Sequence, residues 1–162
     1  MLSQVESEVW EILSTVTDPE IPVLTIEDLG IIREINVSGK LVKVTITPTY
    51  SGCPAMDHIS TDIKTTLTNA GFVPEVVSVL SPPWSSLWIS ERGRKKMEDY
   101  GIAPPLDPTT DKNALIGGQR IVKCTRCGTT NTRMISQFGS TACKALFQCN
   151  ECLEPFDYFK CI

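Results

Sequence analysis

Four cysteines near the C-terminus have the spacing of a metal site. They form two C-x-x-C pairs separated by 21 residues, Cys124 with Cys127 and Cys149 with Cys152. Each C-x-x-C can present two thiolates from one tight turn, and two such turns complete the tetrahedral sulfur set that zinc accepts. The spacing therefore predicts a four-cysteine site. Zinc there would be structural, because a module of ~44 residues is too small to build a sufficient core.

Two further cysteines leave a second interpretation of the metal open. Cys143 and Cys161 flank the second pair, and as buried apolar residues they would need no special role. Together with Cys149 and Cys152, they could instead bind the four corners of an iron–sulfur cluster. The predicted cofactor is therefore zinc, with an iron–sulfur cluster as the alternative and with Cys143 and Cys161 as additional candidate ligands.

Cys53 is the only cysteine outside the C-terminal segment. It precedes Pro54, a residue that suits the first position of a helix, so Cys53 is predicted to be the helix N-cap. A thiol at that place lies near the positive end of the helix dipole and near free N–H groups, both of which favour the thiolate. The alternative is a small buried residue in a tight turn, and the spacing alone does not separate the two.

Three other features are weaker candidates for a site. Asp18 begins an Asp-Pro-Glu turn, which is either part of a site or a helix stop with solvated acids. The single histidine, His58, follows Cys53 and is more typical of a solvated or capping imidazole than of a catalytic base. Trp84 and Trp88 lie on a proline-rich loop, where aromatic side chains could contact a partner or pack over a sheet.

The elements that must position these residues can be read from hydrophobic periodicity. Helical spacing predicts three helices, and β-branched runs predict three strands, the first two of which form a hairpin around Gly39. The predicted helices span residues 3–17, 56–70 and 90–100, and the predicted strands span residues 30–37, 41–47 and 74–80. The resulting fold class is α+β, a small αββαβα domain followed by a C-terminal zinc ribbon.

A proline- and glycine-rich stretch indicates the domain organisation. Pro104, Pro105 and Pro108 precede Gly117 and Gly118, a composition typical of a linker. We therefore predict a first domain at 1–102, a linker at 103–118 and a four-cysteine ribbon at 119–162.

Composition and charge exclude several classes of protein. The 162 residues are 41% hydrophobic, and no run approaches the ~20 apolar residues that span a bilayer. The acidic, amphipathic N-terminus resembles neither a secretory signal nor a transit peptide, so we expect a cytoplasmic protein with metal-binding rather than disulfide-bonded cysteines. Residues from Gln119 onward carry a net charge of +3, and a zinc tetrathiolate would add about −2. The ribbon is therefore poorly suited to binding nucleic acid.

Three segments resemble the small domain of the SufT-like iron–sulfur assembly family. They read DPEIP at 18–22, DLGII at 28–32 and TPTYSGCP at 47–54. The resemblance implies that Cys53 takes part in cluster handling, and it places Asp18 in a second signature of the family. It therefore implies that Cys53 and Asp18 are transient ligands of a metal or cluster.

The complete chain, with its cysteine-rich ending, resembles the family of accessory subunits of phenylacetyl-CoA epoxidase systems in aerobic phenylacetate breakdown. The resemblance implies a protein that assists the assembly or insertion of iron or iron–sulfur cofactors, with the oxygenase and reductase subunits as partners. A di-iron oxygenase centre typically needs Glu-x-x-His motifs on facing helices. This chain has one histidine and no such motif, so that centre must lie on another subunit. The alternative role is a structural adaptor that holds the subunits together without handling metal.

Overall fold

The computed structural model describes residues 3–106 and 120–160. The chain divides into two compact units, Met1–Trp84 and Ser85–Ile162. Within the described residues, no helix is both long enough and apolar enough to cross a bilayer.

The first unit combines two helices with a three-stranded sheet. Its elements are α1 (Gln4–Leu13), β1 (Ile32–Ser38), β2 (Leu41–Ile46), α2 (Ala55–Asn69) and β3 (Val73–Ser78). Strands β1 and β2 form an antiparallel hairpin, and β2 pairs in parallel with β3. A parallel pair requires a crossover connection, which α2 provides here. The loop between β2 and α2, which carries Cys53, therefore begins at the C-terminal end of the central strand.

Apolar side chains from one face of the sheet and from both helices fill the core of this unit. Alternate residues of β2 point inward, and the helices contribute residues at helical spacing. The fully or almost fully buried set includes Val9, Leu13, Val42, Val44, Ile46, Ile59, Ile63 and Leu67. This agreement between sequence period and burial is why the hairpin and α2 could be predicted closely.

Helix α1 is shorter than the predicted helix at 3–17. It ends at Leu13 because the hydroxyls of Ser14 and Thr15 donate to the carbonyls of the preceding turn, at 2.7 Å each, which competes with helix continuation. The buried face of α1 is formed by Val9 and Leu13, whereas Val5 is exposed. Helical periodicity puts Val5 on the same face as Val9, but the buried part of that face begins only at Val9.

The second unit contains a helix and a four-stranded sheet. Its elements are a 3-10 turn (Ser86–Trp88), α3 (Glu91–Tyr100), β4 (Ile102–Ala103), β5 (Thr132–Ser136), β6 (Lys144–Cys149) and β7 (Pro155–Phe159). The strand order is β4-β7-β6-β5, so β5 lies at an edge. The core is a cluster around Phe147, Phe156 and Tyr158, in which Phe147 contacts both other rings.

The predicted α+β fold class and the ribbon after the αββαβα elements are confirmed. In the structure, α3 and β4 belong to the second unit, because β4 pairs with β7 and the backbone N–H of Leu106 donates to the hydroxyl of Tyr158. The predicted limits 1–102 and 119–162 stay a prediction, and most of the predicted linker at 103–118 lies outside the described residues.

Candidate metal centre and separate thiol site

Four cysteine sulfurs converge at one end of the ribbon. The Sγ atoms of Cys124, Cys127, Cys149 and Cys152 all lie within 4.8 Å of one another. The Sγ atoms of Cys124 and Cys152 are 3.7 Å apart, and those of Cys127 and Cys149 are 3.6 Å apart. A tetrahedral zinc site with Zn–S bonds of about 2.3 Å places its sulfurs about 3.8 Å apart. The four sulfurs are thus close enough to share one metal ion, and their spacing fits that of a zinc site.

Two turns of the same construction present these sulfurs. In the first turn the N–H of Cys124 donates to the carbonyl of Thr129 at 2.8 Å, and in the second the N–H of Cys149 donates to the carbonyl of Glu154 at 3.0 Å. Both bonds span five residues. We call these segments, 124–129 and 149–154, the first and second knuckle.

Backbone amides inside each knuckle point at the sulfurs. The N–H of Arg126 lies 3.4 Å from the Cys124 Sγ, and the N–H groups of Glu151 and Cys152 each lie 3.4 Å from the Cys149 Sγ. Such donors stabilise negative charge on sulfur, so each knuckle is prepared to hold a thiolate.

The electrostatics of the quartet call for a cation. Burial raises the pKa of the Cys149 thiol. Hydrogen bonds from the amides of Cys152 and Glu151 lower it, and the combined lowering effects outweigh burial, so that the pKa is about 7. The Glu154 amide acts to lower the pKa of Cys152, yet burial and the three neighbouring sulfurs outweigh it and raise this pKa to about 12. Four thiols this close cannot all ionise without a positive charge among them, and a divalent metal supplies that charge.

Polar contacts join the two knuckles directly. Arg126 forms an ion pair with Glu154, with 2.9 Å between Nη1 and Oε2, and the Thr129 hydroxyl donates to Glu151 Oε1 at 3.0 Å. Because these contacts cross from one knuckle to the other, they hold the two cysteine pairs together independently of the sulfurs.

The two additional cysteines do not join this group within the described residues. Cys143 is buried, and its Sγ lies 3.0 Å from the Thr141 hydroxyl. Among the described cysteines, the group close enough to share one ion is the predicted quartet. Cys161 lies outside the described residues, so the alternative cluster set that includes it stays a prediction.

Cys53 lies in a separate turn in the first unit and is half-buried. The turn runs from Tyr50 to Cys53, whose N–H donates to the Tyr50 carbonyl at 3.3 Å, and Gly52 has a φ of 78°. A positive φ at the third position of a turn favours glycine. The helix begins at Ala55 with Pro54 as its N-cap, so Cys53 precedes the cap by one residue and is not the cap itself.

The expected lowering of the Cys53 pKa is wrong. Burial raises the pKa of this thiol, and the carboxylates of Glu20 and Asp18 raise it further. The Ala55 amide and the Tyr50 side chain form hydrogen bonds that lower the pKa, each by more than either carboxylate raises it, but burial and the two carboxylates together outweigh them. The sequence indicated the helix amides correctly, whereas the burial and the nearby acids depend on tertiary packing.

Asp18 stabilises the turn that follows α1. The sequence alone left open whether it has such a structural role or is a ligand. Its Oδ1 accepts hydrogen bonds from the N–H groups of Glu20 and Ile21, at 2.7 and 3.0 Å, and the residue is buried. This closes the turn after α1 and holds the Asp18 and Glu20 carboxylates close enough to influence Cys53. Glu20 and Tyr50 were not predicted as site residues. Glu20 lies in the segment 18–22 and Tyr50 in the segment 47–54, two of the three segments that resemble the assembly family.

The remaining candidates are His58, Trp84 and Trp88. His58 pairs with Asp62 one helical turn later, with 3.3 Å between Nε2 and Oδ2, on an exposed face. Trp84 is 7% exposed, and its indole N–H donates to the Leu29 carbonyl at 2.8 Å. Of the two roles that the sequence left open for Trp84, its burial fits packing rather than partner contact. Trp88 is partly exposed, and the neighbouring Leu87 is 69% exposed.

Comparisons with known proteins agree with both halves of this structure. Residues 6–81 match the model of a family described as iron-sulfur cluster assembly protein, and residues 108–160 match the model described as PaaD zinc beta ribbon domain. The chain is 46% identical over 156 residues to a subunit of the "Putative 1,2-phenylacetyl-CoA epoxidase" of Escherichia coli (strain K12), an alignment that covers 96% of this chain and 92% of that protein. The chain belongs to the PaaD family.

Two further relatives each match a little over half of this PaaD-family chain. It is 37% identical over 91 residues to the "Fe-S protein maturation auxiliary factor" of Porphyromonas gingivalis (strain ATCC BAA-308 / W83), covering 54% of this chain and 86% of that protein. The crystal structure of a domain of unknown function, DUF59, from Bacillus anthracis superposes with a TM-score of 0.53 at 31% identity, covering 57% of this chain and 90% of that one. The resemblances seen in the sequence are therefore confirmed for both parts of the PaaD-family chain.

Proposed function

We propose that this chain is an accessory protein that assists the assembly or insertion of iron or iron–sulfur cofactors into a phenylacetyl-CoA epoxidase system. Its clients would be the oxygenase and reductase subunits of that system. The single observation that supports the proposal is the grouping of the thiols: four lie close enough to share one ion in the second unit, while Cys53 lies in a turn of its own in the first.

Cys53 has the chemistry of a temporary ligand for such a cargo. Metal binding to a cysteine displaces its proton, so a thiol with a raised pKa holds a metal less tightly and releases it more readily by reprotonation. The carboxylates of Asp18 and Glu20 raise the pKa of Cys53, and their negative charge would also attract an iron cation. Since Asp18 Oδ1 already accepts two backbone hydrogen bonds, ligation by Asp18 would use its other carboxylate oxygen.

Zinc in the ribbon would serve architecture rather than transfer. A tetrahedral set of four sulfurs leaves no open coordination position for an exchanging ligand. We assign the quartet of Cys124, Cys127, Cys149 and Cys152 to zinc, and we assign to the ribbon the task of docking the partner subunits.

A structural adaptor is the second candidate function, and a specific observation favours it. The pKa of Cys53 is raised and Asp18 closes a turn, which are features that a purely structural loop would also show. An adaptor would hold the oxygenase subunits together without any exchange at Cys53.

Cofactor loading of the reductase separates the two functions. The reductase would be matured in the presence of the wild-type chain or of Cys53→Ser, and its iron and sulfide content would be compared. A carrier requires lower loading with Cys53→Ser, whereas equal loading rejects the carrier role and leaves the adaptor. Cys143→Ser is the matched control, because it removes a cysteine that lies outside both the quartet and the Cys53 turn.

A further inference from the structure

The edge of the ribbon sheet carries a concentration of exposed apolar side chains. Among the described residues of the second unit, three of the exposed large hydrophobic residues fall within five positions: Met134 (43% exposed), Ile135 (50%) and Phe138 (67%). Single exposed apolar residues are normal on a protein surface, but a local group of them is typical of an interaction site. Strand β5 has no neighbour on its outer side within this sheet.

The backbone of β5 is poorly suited to pairing with an added strand. Its register with β6 shifts between Met134 and Ser136, so Ile135 has no partner residue across the pair. Such a bulge interrupts the regular spacing of edge hydrogen-bonding groups and protects edges from strand addition. Recognition at this edge would therefore depend on side chains.

The charges around these residues are positive. Residues 131–150 contain no carboxylate, and of their two basic residues Arg133 is exposed whereas Lys144 is 4% exposed. The Lys160 ammonium lies 4.2 Å from the centroid of the Phe138 ring, and Arg120 is close enough to Lys160 to lower its pKa, after the larger effect of burial. Asp157 is the acid that contacts this end, where it accepts a hydrogen bond from the Ser140 hydroxyl at 3.1 Å.

A zinc tetrathiolate would make the opposite end of the ribbon negative. Glu151 and Glu154 of the second knuckle are balanced there by Arg126, which pairs with Glu154, and by Lys123, which lies beside Gly128. The zinc tetrathiolate would add about −2 to this balanced set. The ribbon is therefore polarised, with its positive end at the exposed apolar group. A partner with acidic residues around an apolar centre would be complementary to that end and repelled by the other.

We propose that Met134, Ile135 and Phe138, with the exposed Arg133 at their rim and the largely buried Lys160 ammonium against the Phe138 ring, form the docking surface for an acidic segment of a partner protein that places apolar side chains among its carboxylates. We call this surface the hairpin patch, after the antiparallel pair of β5 and β6 to which it belongs. The inference rests on the proposed docking role of the ribbon and specifies where on the ribbon docking occurs.

The test compares two equally exposed apolar residues of the second unit. Phe138→Asp puts a carboxylate into the hairpin patch, whereas Leu87→Asp makes the same change on the loop beside Trp88, with 67% and 69% exposure in the wild type. The zinc-loaded variants would be titrated with the purified oxygenase complex and with the purified reductase. Zinc content and circular dichroism would establish folding, and Ile135→Asp replaces Phe138→Asp if that variant does not retain zinc.

The hairpin patch predicts that Phe138→Asp weakens binding to one of these probes at least ~10-fold, because burial of an aromatic ring is lost and like charges are opposed. Leu87→Asp should bind as the wild type does. Wild-type affinity should also fall as NaCl rises from about 50 mM to about 500 mM, since salt screens exposed charges. Crosslinks from a photoreactive side chain at position 138 should map to an acidic segment of the partner.

Two outcomes overturn the inference in different ways. Loss of binding by Leu87→Asp together with retention by Phe138→Asp would move docking to the other loop and leave the proposed function intact. No binding of either probe to the wild-type chain would remove the proposed partners along with the patch. Reductase loading with Cys53→Ser is a separate measurement, so a failure of the carrier role would not be mistaken for either result.

Discussion

Gly128 and Leu153 occupy equivalent positions in the two knuckles, each directly after the second cysteine of its pair. Both have a positive φ, 77° for Gly128 and 63° for Leu153. Glycine adopts this conformation without steric cost, whereas a residue with a Cβ is strained by ~1–2 kcal/mol. The first knuckle therefore has the residue that its backbone favours, and the second does not.

This asymmetry predicts that Leu153→Gly stabilises the zinc-loaded ribbon. We expect the free energy of unfolding to rise by ~0.5–1 kcal/mol, because relief of strain exceeds the entropy that glycine loses on folding. Leu153→Ala is the control, since it removes the exposed side chain but keeps the Cβ. Chemical denaturation of the three proteins would measure the effect, and equal stabilities of the glycine and alanine variants would contradict it.

Replacing Gly128 with a residue that has a Cβ is expected to have the opposite effect and destabilise the ribbon. An added Cβ there would meet the Lys123 Cε at 3.5 Å, an ordinary contact, so the cost of Gly128→Ala is conformational. We expect the free energy of unfolding to fall by ~1 kcal/mol. Zinc content measured in parallel should stay at one ion per chain, and a loss of zinc as large as that of a Cys124→Ser variant would argue against a purely conformational effect.

Metal analysis should find one zinc per chain in anaerobically purified protein. A four-sulfur zinc site is colourless, whereas an iron–sulfur cluster gives a brown protein with iron and sulfide. Serine substitution of any quartet cysteine should release the metal, and Cys143→Ser should not. A visible spectrum with equimolar iron and sulfide would instead support the cluster alternative.

The reactivity of Cys53 should report on its acidic neighbours. Because its pKa is raised from 9.0, alkylation by iodoacetamide should reach half its maximal rate above pH 9. Asp18→Asn and Glu20→Gln each remove a negative charge that raises this pKa, so both should increase the alkylation rate near neutral pH. Mass spectrometry of the Cys53 peptide would measure the rates, and Asp62→Asn on the exposed face of α2 is the control. Rates that are unchanged in both variants would contradict the electrostatic coupling.

The sign of the corresponding stability effect follows from the same shift. A pKa that is higher in the folded than in the unfolded state means that the folded state prefers the neutral thiol. The contribution of Cys53 to stability is therefore complete below pH 9 and is lost as the pH rises through the folded pKa. Cys53→Ser should flatten this alkaline decline in the free energy of unfolding.

Substitution of Trp84 should affect stability more than that of Trp88. Trp84→Phe removes the indole N–H that donates to the Leu29 carbonyl, which leaves a buried acceptor unsatisfied. We expect the free energy of unfolding to fall by about 1–2 kcal/mol, as measured by chemical denaturation. Trp88→Phe is the comparison, and an equal loss from that partly exposed position would contradict the role of the hydrogen bond.

The amino-acid sequence alone determined the features that depend on local spacing. Helical and alternating periods specified α2 and the β1–β2 hairpin because burial follows the same periods. The two C-x-x-C pairs specified the quartet because a C-x-x-C turn brings two thiols to one ion whatever surrounds it. Resemblance in the segments around Asp18 and Cys53 indicated the assembly family.

Tertiary structure decided what depends on residues distant in the chain. Burial and the carboxylates of Asp18 and Glu20 reversed the expected direction of the Cys53 pKa, since desolvation and charge act through space. Packing buried Trp84 against Leu29, 55 positions away, and the pairing of β4 with β7 joined α3 to the ribbon unit. None of these outcomes is encoded in local propensity, because each is set by which surfaces meet when the chain folds.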